Sequence, residues 1–212
     1  MIPSFARVPI DDIGEPLVDL SRYGFVLDPQ YFTQGLTAEH RMFLREGVAD
    51  KLLAVQERFR IYRFKLWDGW RPRAVQKKLF DRFWNELKSK HPDWDNERLE
   101  NEVTQFVNLG DERIIPPHAT GGTVDLTLVD SNGNEVDMGT EFDYFGPEAA
   151  ALYFTQEGKN KTIRENRKLF RDAMQEENFL VHPNEWWHFE YGTQSWALAQ
   201  GKPSAFYGLV VL

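Results

Sequence analysis

The 212-residue chain contains no cysteine. It therefore has neither a disulfide nor a thiolate to offer a metal, and any zinc it binds must be held by His, Asp or Glu. Long apolar runs are missing too: nothing approaches the ~20 consecutive apolar residues of a membrane span. The opening Met1-Ile2-Pro3-Ser4-Phe5-Ala6-Arg7 has no basic region leading into an apolar stretch of signal-peptide length. A cytoplasmic protein is the expectation. Positive charge is also in short supply, with 25 Lys and Arg against 33 Asp and Glu and a formal net charge of −8. Nucleic-acid backbones and anionic membrane surfaces call for clustered cations, so neither is an expected partner, and a small substrate is.

What is present is a chain with 42% hydrophobic and 14% aromatic residues, enough to bury a core. Without a repeat, low-complexity tract or linker, residues 1–212 read as a single domain, with residues 1–35 an irregular arm packed on it. From Thr37, read as an N-cap, apolar residues recur at helical spacing through Phe43, Leu44, Val48, Leu52, Val55 and Phe59. Residues 60–67 alternate apolar with basic residues, the period of a half-buried strand. After Asp68-Gly69-Trp70-Arg71, Pro72 suits the first position of a second helix carrying Val75, Leu79, Phe83 and Leu87. An acidic third helix is expected through Leu99, Val103 and Phe106. Thr123 to Val129 reads as a strand returning through the turn Ser131-Asn132-Gly133-Asn134 to Glu135–Met138. A further helix is expected from Thr162 to Asn178, a last strand from Trp186 to Tyr191, and an edge segment at the apolar C-terminus. The pattern predicts an α+β fold, helices packed around a central antiparallel sheet.

Two short segments hold the chemistry. His118 precedes Gly121-Gly122, which can bend the backbone, and the strand that follows carries Asp125 on its polar face. In the last strand Trp187, Phe189 and Tyr191 share one face and His188 and Glu190 the other. His118, Asp125 and His188 would supply three ligands, the number a catalytic zinc site uses while keeping one position open. Glu185, on the bend made by Pro183-Asn184, would remain unligated and free to move a proton. The same residues also fit ordinary turn and strand positions, and two His with one carboxylate also match the iron site of non-heme oxygenases. That site commonly spaces its first His and Asp one residue apart and has no use for Glu185, so a hydrolase is preferred. His182 reads as a turn residue ahead of Pro183, and His40 and His91 as helix-start and loop residues.

Asp68-Gly69-Trp70-Arg71-Pro72, His118 to Leu128, Met138-Gly139-Thr140-Glu141-Phe142-Asp143 and Glu185-Trp186-Trp187-His188 stand in the order found in the D-alanyl-D-alanine dipeptidases. The chain resembles these VanX-type zinc peptidases from about residue 19 to 190. The resemblance implies the α+β fold shared with D,D-carboxypeptidases and one Zn2+ per chain on His118, Asp125 and His188. It implies Glu185 as catalytic base, Arg71 stabilising the oxyanion, Asp143 receiving the free amino group of a dipeptide, and Tyr23 lining the substrate pocket. The expected activity is hydrolysis of D,D-dipeptides such as D-Ala-D-Ala. Alternatives are a D,D-carboxypeptidase or peptidoglycan endopeptidase of the same superfamily, or a zinc-binding module without catalysis. Pro116 stands where the family usually has Ser, and Trp70 where Tyr is common.

Overall fold

The computed structural model describes residues 3–104 and 114–211. Its centre is β5, Thr123–Val129, every residue of which is buried. Burial on both faces suits a strand flanked by two others and covered above and below. Its neighbours are β4, Arg63–Asp68, and β7, His188–Glu190, both antiparallel. Beyond them lie β2, Val26–Leu27, parallel to β4, and β6, Leu180–Val181, antiparallel to β7. The five-stranded sheet thus runs β2-β4-β5-β7-β6, a mixed and mostly antiparallel sheet in an α+β domain.

Side-chain alternation sorts β5 between two environments. Val124, Leu126 and Leu128 join Phe64 and Leu66 of β4 and Phe189 of β7 in the main core. α2, Glu46–Gln56, brings Val48 and Leu52 to that core, and α5, Lys161–Glu176, brings Phe170 and Met174. The α5 spacing Ile163, Arg167, Phe170, Met174 is the stripe of one helical face. Its N-cap Asn160 accepts from the N–H groups of Thr162 and Ile163, and Asn178 at φ 64° turns the chain out of it. Asp125, on the other face, looks toward α3, Arg73–Lys90, whose Val75, Leu79 and Phe83 pack with Tyr31 and with Val103 of α4, Asn96–Val103, as a second cluster. Two short α-helices, α1, Gln30–Thr33, and α6, Gln194–Ala199, are also present. Among the described residues no helix is long and apolar enough to cross a membrane.

The second helix begins where Pro72 predicted, one residue later, with Pro72 as its N-cap. Asp95 caps α4 by accepting from the Arg98 N–H; Phe106 lies outside the described residues. After β5, the Asp130–Asn134 turn brings Glu135 back against Val129 as a bridge. The helix expected from Thr37 is shorter than its periodicity suggests. Residues 37–42 are irregular, and Phe43–Arg45 is a strand, β3, antiparallel to β1, Leu17–Asp19. The reason is competition for backbone groups. The Phe43 carbonyl accepts from Trp70 N–H at 2.7 Å and Arg45 N–H donates to Gly121 at 2.9 Å, pairings a helix would forfeit. The arm contributes the short strands β1 and β2. The last strand is shorter than expected at three residues, and the C-terminal segment forms no strand, although Val210 N–H donates to the Ala119 carbonyl.

Gly121 closes the 3-10 turn Pro117–Thr120 in the left-handed region at φ 73°, and a Cβ there would sit 2.5 Å from Leu17 Cδ2. Gly121→Ala is expected to lower the stability of the fold by about 2 kcal/mol, through backbone strain and this clash together; equilibrium urea unfolding measures it.

Candidate metal centre and active site

The β5–β7 ladder sets Asp125 directly opposite His188. Partners across an antiparallel pair present their side chains to the same face, so a carboxylate and an imidazole meet without any help from loops. His118 arrives from the 3-10 turn that Gly121 closes. Its Nε2 lies 3.3 Å from Asp125 Oδ2 and 3.3 Å from His188 Nδ1, and His188 Nδ1 lies 3.0 Å from Asp125 Oδ1. All three residues are buried.

These separations match a tetrahedral ion. Bonds of about 2.0–2.1 Å to nitrogen and oxygen place neighbouring donors about 3.3 Å apart, the spacing found here. Apart from the 3.0 Å approach of His188 Nδ1, Asp125 Oδ1 has no partner among the described residues despite its burial, and a bound cation would satisfy it. The imidazoles are also prepared. His118 Nδ1 lies 2.8 Å from the Gly69 carbonyl and 3.1 Å from Asp68 Oδ2, which favours the tautomer with its proton on Nδ1 and a lone pair on Nε2. His188 Nε2 lies 3.4 Å from Glu190 Oε1, whose other oxygen accepts from the Thr193 hydroxyl. Glu190 therefore lies behind His188, at a longer distance than Asp68 keeps to His118.

The field at this point favours positive charge. Burial alone would raise the Asp125 carboxyl, yet His118 and His188 hold it well below the carboxylate range. Burial opposes charge on His188, and Asp125 and Glu190 overcome it. Among the described residues, Asp68, Asp125, Glu185 and Glu190 surround the site, and the guanidinium of Arg71 faces them. Buried carboxylates in that number need a compensating cation, and with no thiolate in the chain the donor set, two imidazoles and a carboxylate, fits zinc.

Glu185 sits on the turn before β7, its N–H donating to His182 O at 3.3 Å. Its Oε2 is 3.4 Å from His188 Nδ1, the nitrogen that faces the triad. Burial, the largest influence, pushes the Glu185 carboxyl up to about 8. Arg71 is buried and anchored on several sides. Its Nε donates to Asp68 at 2.8 Å and Nη1 to Gln76 at 2.9 Å, Nη2 lies 3.5 Å from Asp125 Oδ2, and the guanidinium stands 4.6 Å over the Tyr31 ring. Asp143 occupies the left-handed region at φ 58° and accepts from the Tyr31 hydroxyl at 3.3 Å. Burial, reinforced by the charge of Asp125, pushes it up to about 7. All six of these side chains line one cavity of about 500 Å³.

Tyr23 is not brought to this cavity. It stacks on Phe25 at 6.1 Å between ring centres and packs against the main core, while Tyr31 lines the cavity. Asp68, Gln76, Glu190 and Tyr31 join the site without a role assigned to them from the sequence. Asp68 begins the Asp68–Pro72 motif, and Glu190 shares the strand face of His188, so a signal existed for each. None existed for Tyr31, which is 112 residues from Asp143. His182, read as a turn residue, also lines the cavity, its ring 5.2 Å from that of His188.

The sequence matches the Peptidase M15 family, D-ala-D-ala dipeptidase, over residues 21–204. The chain belongs to this family. It is a metallopeptidase of the D-alanyl-D-alanine dipeptidase type. It is 30% identical to a D-alanyl-D-alanine dipeptidase of Synechocystis sp., covering 91% of this chain and 88% of that protein. An Enterococcus faecium D-alanyl-D-alanine dipeptidase is 27% identical over 60% of this chain and 61% of its own. Among solved structures, VanYB in complex with D-alanine-D-alanine aligns over 76% of this chain and 80% of its own, at 14% identity and a TM-score of 0.46.

Asp68→Asn is expected to weaken metal binding by roughly 10–100-fold, the usual consequence of removing the acceptor behind a ligating His. Competition with a chromogenic chelator reads the affinity, and an unchanged value would detach Asp68 from the centre.

Proposed function

We propose that this chain hydrolyses D,D-dipeptides such as D-Ala-D-Ala, with one zinc ion held by His118, Asp125 and His188. The observation that carries the reading is the position of Glu185: a buried carboxylate 3.4 Å from the inward nitrogen of a ligand, yet outside the ligand set. When bound, zinc supplies Lewis-acid polarisation of the peptide carbonyl and acidifies the attacking water.

Glu185 takes one proton from that water at Oε2 as the oxygen bonds to the carbonyl carbon. The carbonyl oxygen gains negative charge, and Arg71 faces it. Because Asp68, Gln76 and the Tyr31 ring already fix the guanidinium, it need not reorganise as charge develops, and such a donor is worth ~3 kcal/mol of barrier. Glu185 then passes its proton to the amide nitrogen, the C–N bond breaks, and two free amino acids result. No acyl-enzyme is required. Asp143 receives the free ammonium of the substrate, an acceptor-only group for a donor-only one. Recognition of that terminus selects a dipeptide over the end of a longer peptide, whose corresponding nitrogen is an uncharged amide. A cytoplasmic location is consistent with such a small substrate.

Glu185→Gln should keep stoichiometric metal by elemental analysis while kcat falls by roughly 10²–10⁴; loss of metal would make Glu185 a ligand and not a base. Arg71→Ala should lower kcat by roughly 10²–10³ in a steady-state assay with D-Ala-D-Ala. A wild-type preference for a cell-wall pentapeptide over D-Ala-D-Ala would replace this reading with the carboxypeptidase one.

A further inference from the structure

Arg167 is a buried guanidinium in the inward stripe of α5, between Ile163 and Phe170, and it takes no part in the hydrolysis proposed above. What it meets is backbone. Nε donates to the Met138 carbonyl at 2.7 Å, Nη1 to that of Ala150 at 2.8 Å and Nη2 to that of Glu148 at 2.8 Å. One position earlier on the helix, Asn166 Nδ2 donates to the Asp137 carbonyl at 2.8 Å. Carbonyls taken out of water need donors, and the rigid fork of an arginine can serve three at once. The stretch gripped in this way, residues 138–150, carries Asp143 between its two ends. It is built from bends, turns and the 3-10 turn Pro147–Ala149, so its shape depends on side chains that hold it. Asp143 itself sits at φ 58°, a conformation that costs a residue with a side chain and persists only where the surroundings impose it. Phe142 supplies one constraint, its ring 4.9 Å from Trp67 and 5.7 Å from Trp187. Arg167 supplies the other, from both ends of the stretch.

We infer that Arg167 is a positioning residue for substrate recognition: by holding the two ends of residues 138–150 it keeps the Asp143 carboxylate where the ammonium of a dipeptide arrives. The inference rests on the role proposed for Asp143. The metal ligands are placed by other means, His118 by its 3-10 turn and Asp125 and His188 by the β5–β7 ladder. Loosening residues 138–150 therefore separates two properties that a general loss of structure would carry down together. Capture of the free amino group weakens, and the hold on the metal stays.

The test loads the full chain with zinc and compares the wild type with Arg167→Met, which fills similar space and donates nothing, and Arg167→Lys, which keeps the charge without the fork. Met174→Ala, a packing change on the same buried face of α5, serves as control. Arg167→Met should lower the ratio of kcat/KM for D-Ala-D-Ala to that for N-acetyl-D-Ala-D-Ala, which lacks the ammonium, by roughly tenfold or more, the worth of one charge-assisted hydrogen bond. Arg167→Lys should lower it less, and Met174→Ala should keep the wild-type ratio even though its urea midpoint falls. In the Glu185→Gln background, calorimetry should show weaker binding of D-Ala-D-Ala when Arg167→Met is added, while zinc affinity by chelator competition stays at its wild-type value. A wild-type ratio in both Arg167 variants would overturn the inference, as would an equal fall in Met174→Ala or a zinc affinity that drops with substrate affinity. If Arg167→Met does not fold, Arg167→Lys decides alone. A wild type that hydrolyses D-Ala-D-Ala without favouring it over the acetylated form would overturn the role of Asp143 and this inference with it, and leave the zinc dipeptidase reading standing. Hydrolysis of neither compound would remove that reading as well.

Discussion

Asp125 and His188 face each other across the central ladder because β5 and β7 pair in one register. Side chains in a strand alternate with period two, so a slip of one residue would carry either group to the core face and bring an apolar neighbour to the cavity. The apolar halves of the two strands prevent the slip: Val124, Leu126 and Phe189 would have to leave the core in the same step. The His118–Asp125–His188 triad is therefore held by the hydrophobic burial of residues on the other face of the sheet. The β4 side adds a second device. A register shift after Leu66 sets Asp68 opposite Asp125, and a bulge of this kind re-aims a side chain. Asp68 reaches His118 and Arg71 from there.

Around this ladder the molecule concentrates negative charge where water is scarce. Asp125, Glu185 and Glu190 are buried, and Arg71 by itself compensates little of their charge. The arrangement is costly for a resting protein and useful for one that binds a dication, since the same desolvation that raises Glu185 also strengthens every interaction with a bound ion. Fixed geometry follows from the surrounding anchors. Arg167 of α5, buried, donates to the carbonyls of Met138, Glu148 and Ala150 at 2.7, 2.8 and 2.8 Å. It thereby ties both ends of the segment that carries Asp143 to the helix packed on the core. Trp186 N–H joins the Ala149 carbonyl at 3.0 Å, linking that segment to the turn that carries Glu185.

Much of this was legible in the chain. Period-two alternation in residues 123–129 put Asp125 opposite the core-facing Val124 and Leu126, and the same rule put His188 and Glu190 together. Pro72 marked the start of α3 closely, because φ restriction is a local effect, and the helix expected from Thr162 begins one residue earlier, at Lys161. Where partners lie far away in sequence, local pattern misleads. Phe43 and Leu44 keep helical spacing with Val48 and Leu52, yet they pair as a strand with residues of the N-terminal arm. Tyr23 and Tyr31 are both aromatics in that arm, and nothing local distinguishes the one that stacks on Phe25 from the one that supports Arg71 and Asp143.

The sequence by itself determined the donor set, the α+β class and the separation of core from polar faces, because residue type and periodicity are properties of neighbouring positions. Lacking cysteine and carrying five histidines, the chain could offer zinc only imidazole and carboxylate. Tertiary structure alone decided which groups stand behind the ligands, how Arg71 is braced and what holds the segment that carries Asp143. Those relations join Gly69 to His118, Tyr31 to Asp143 and Met138 to Arg167, and they exist only once the sheet register and helix packing have closed the chain upon itself.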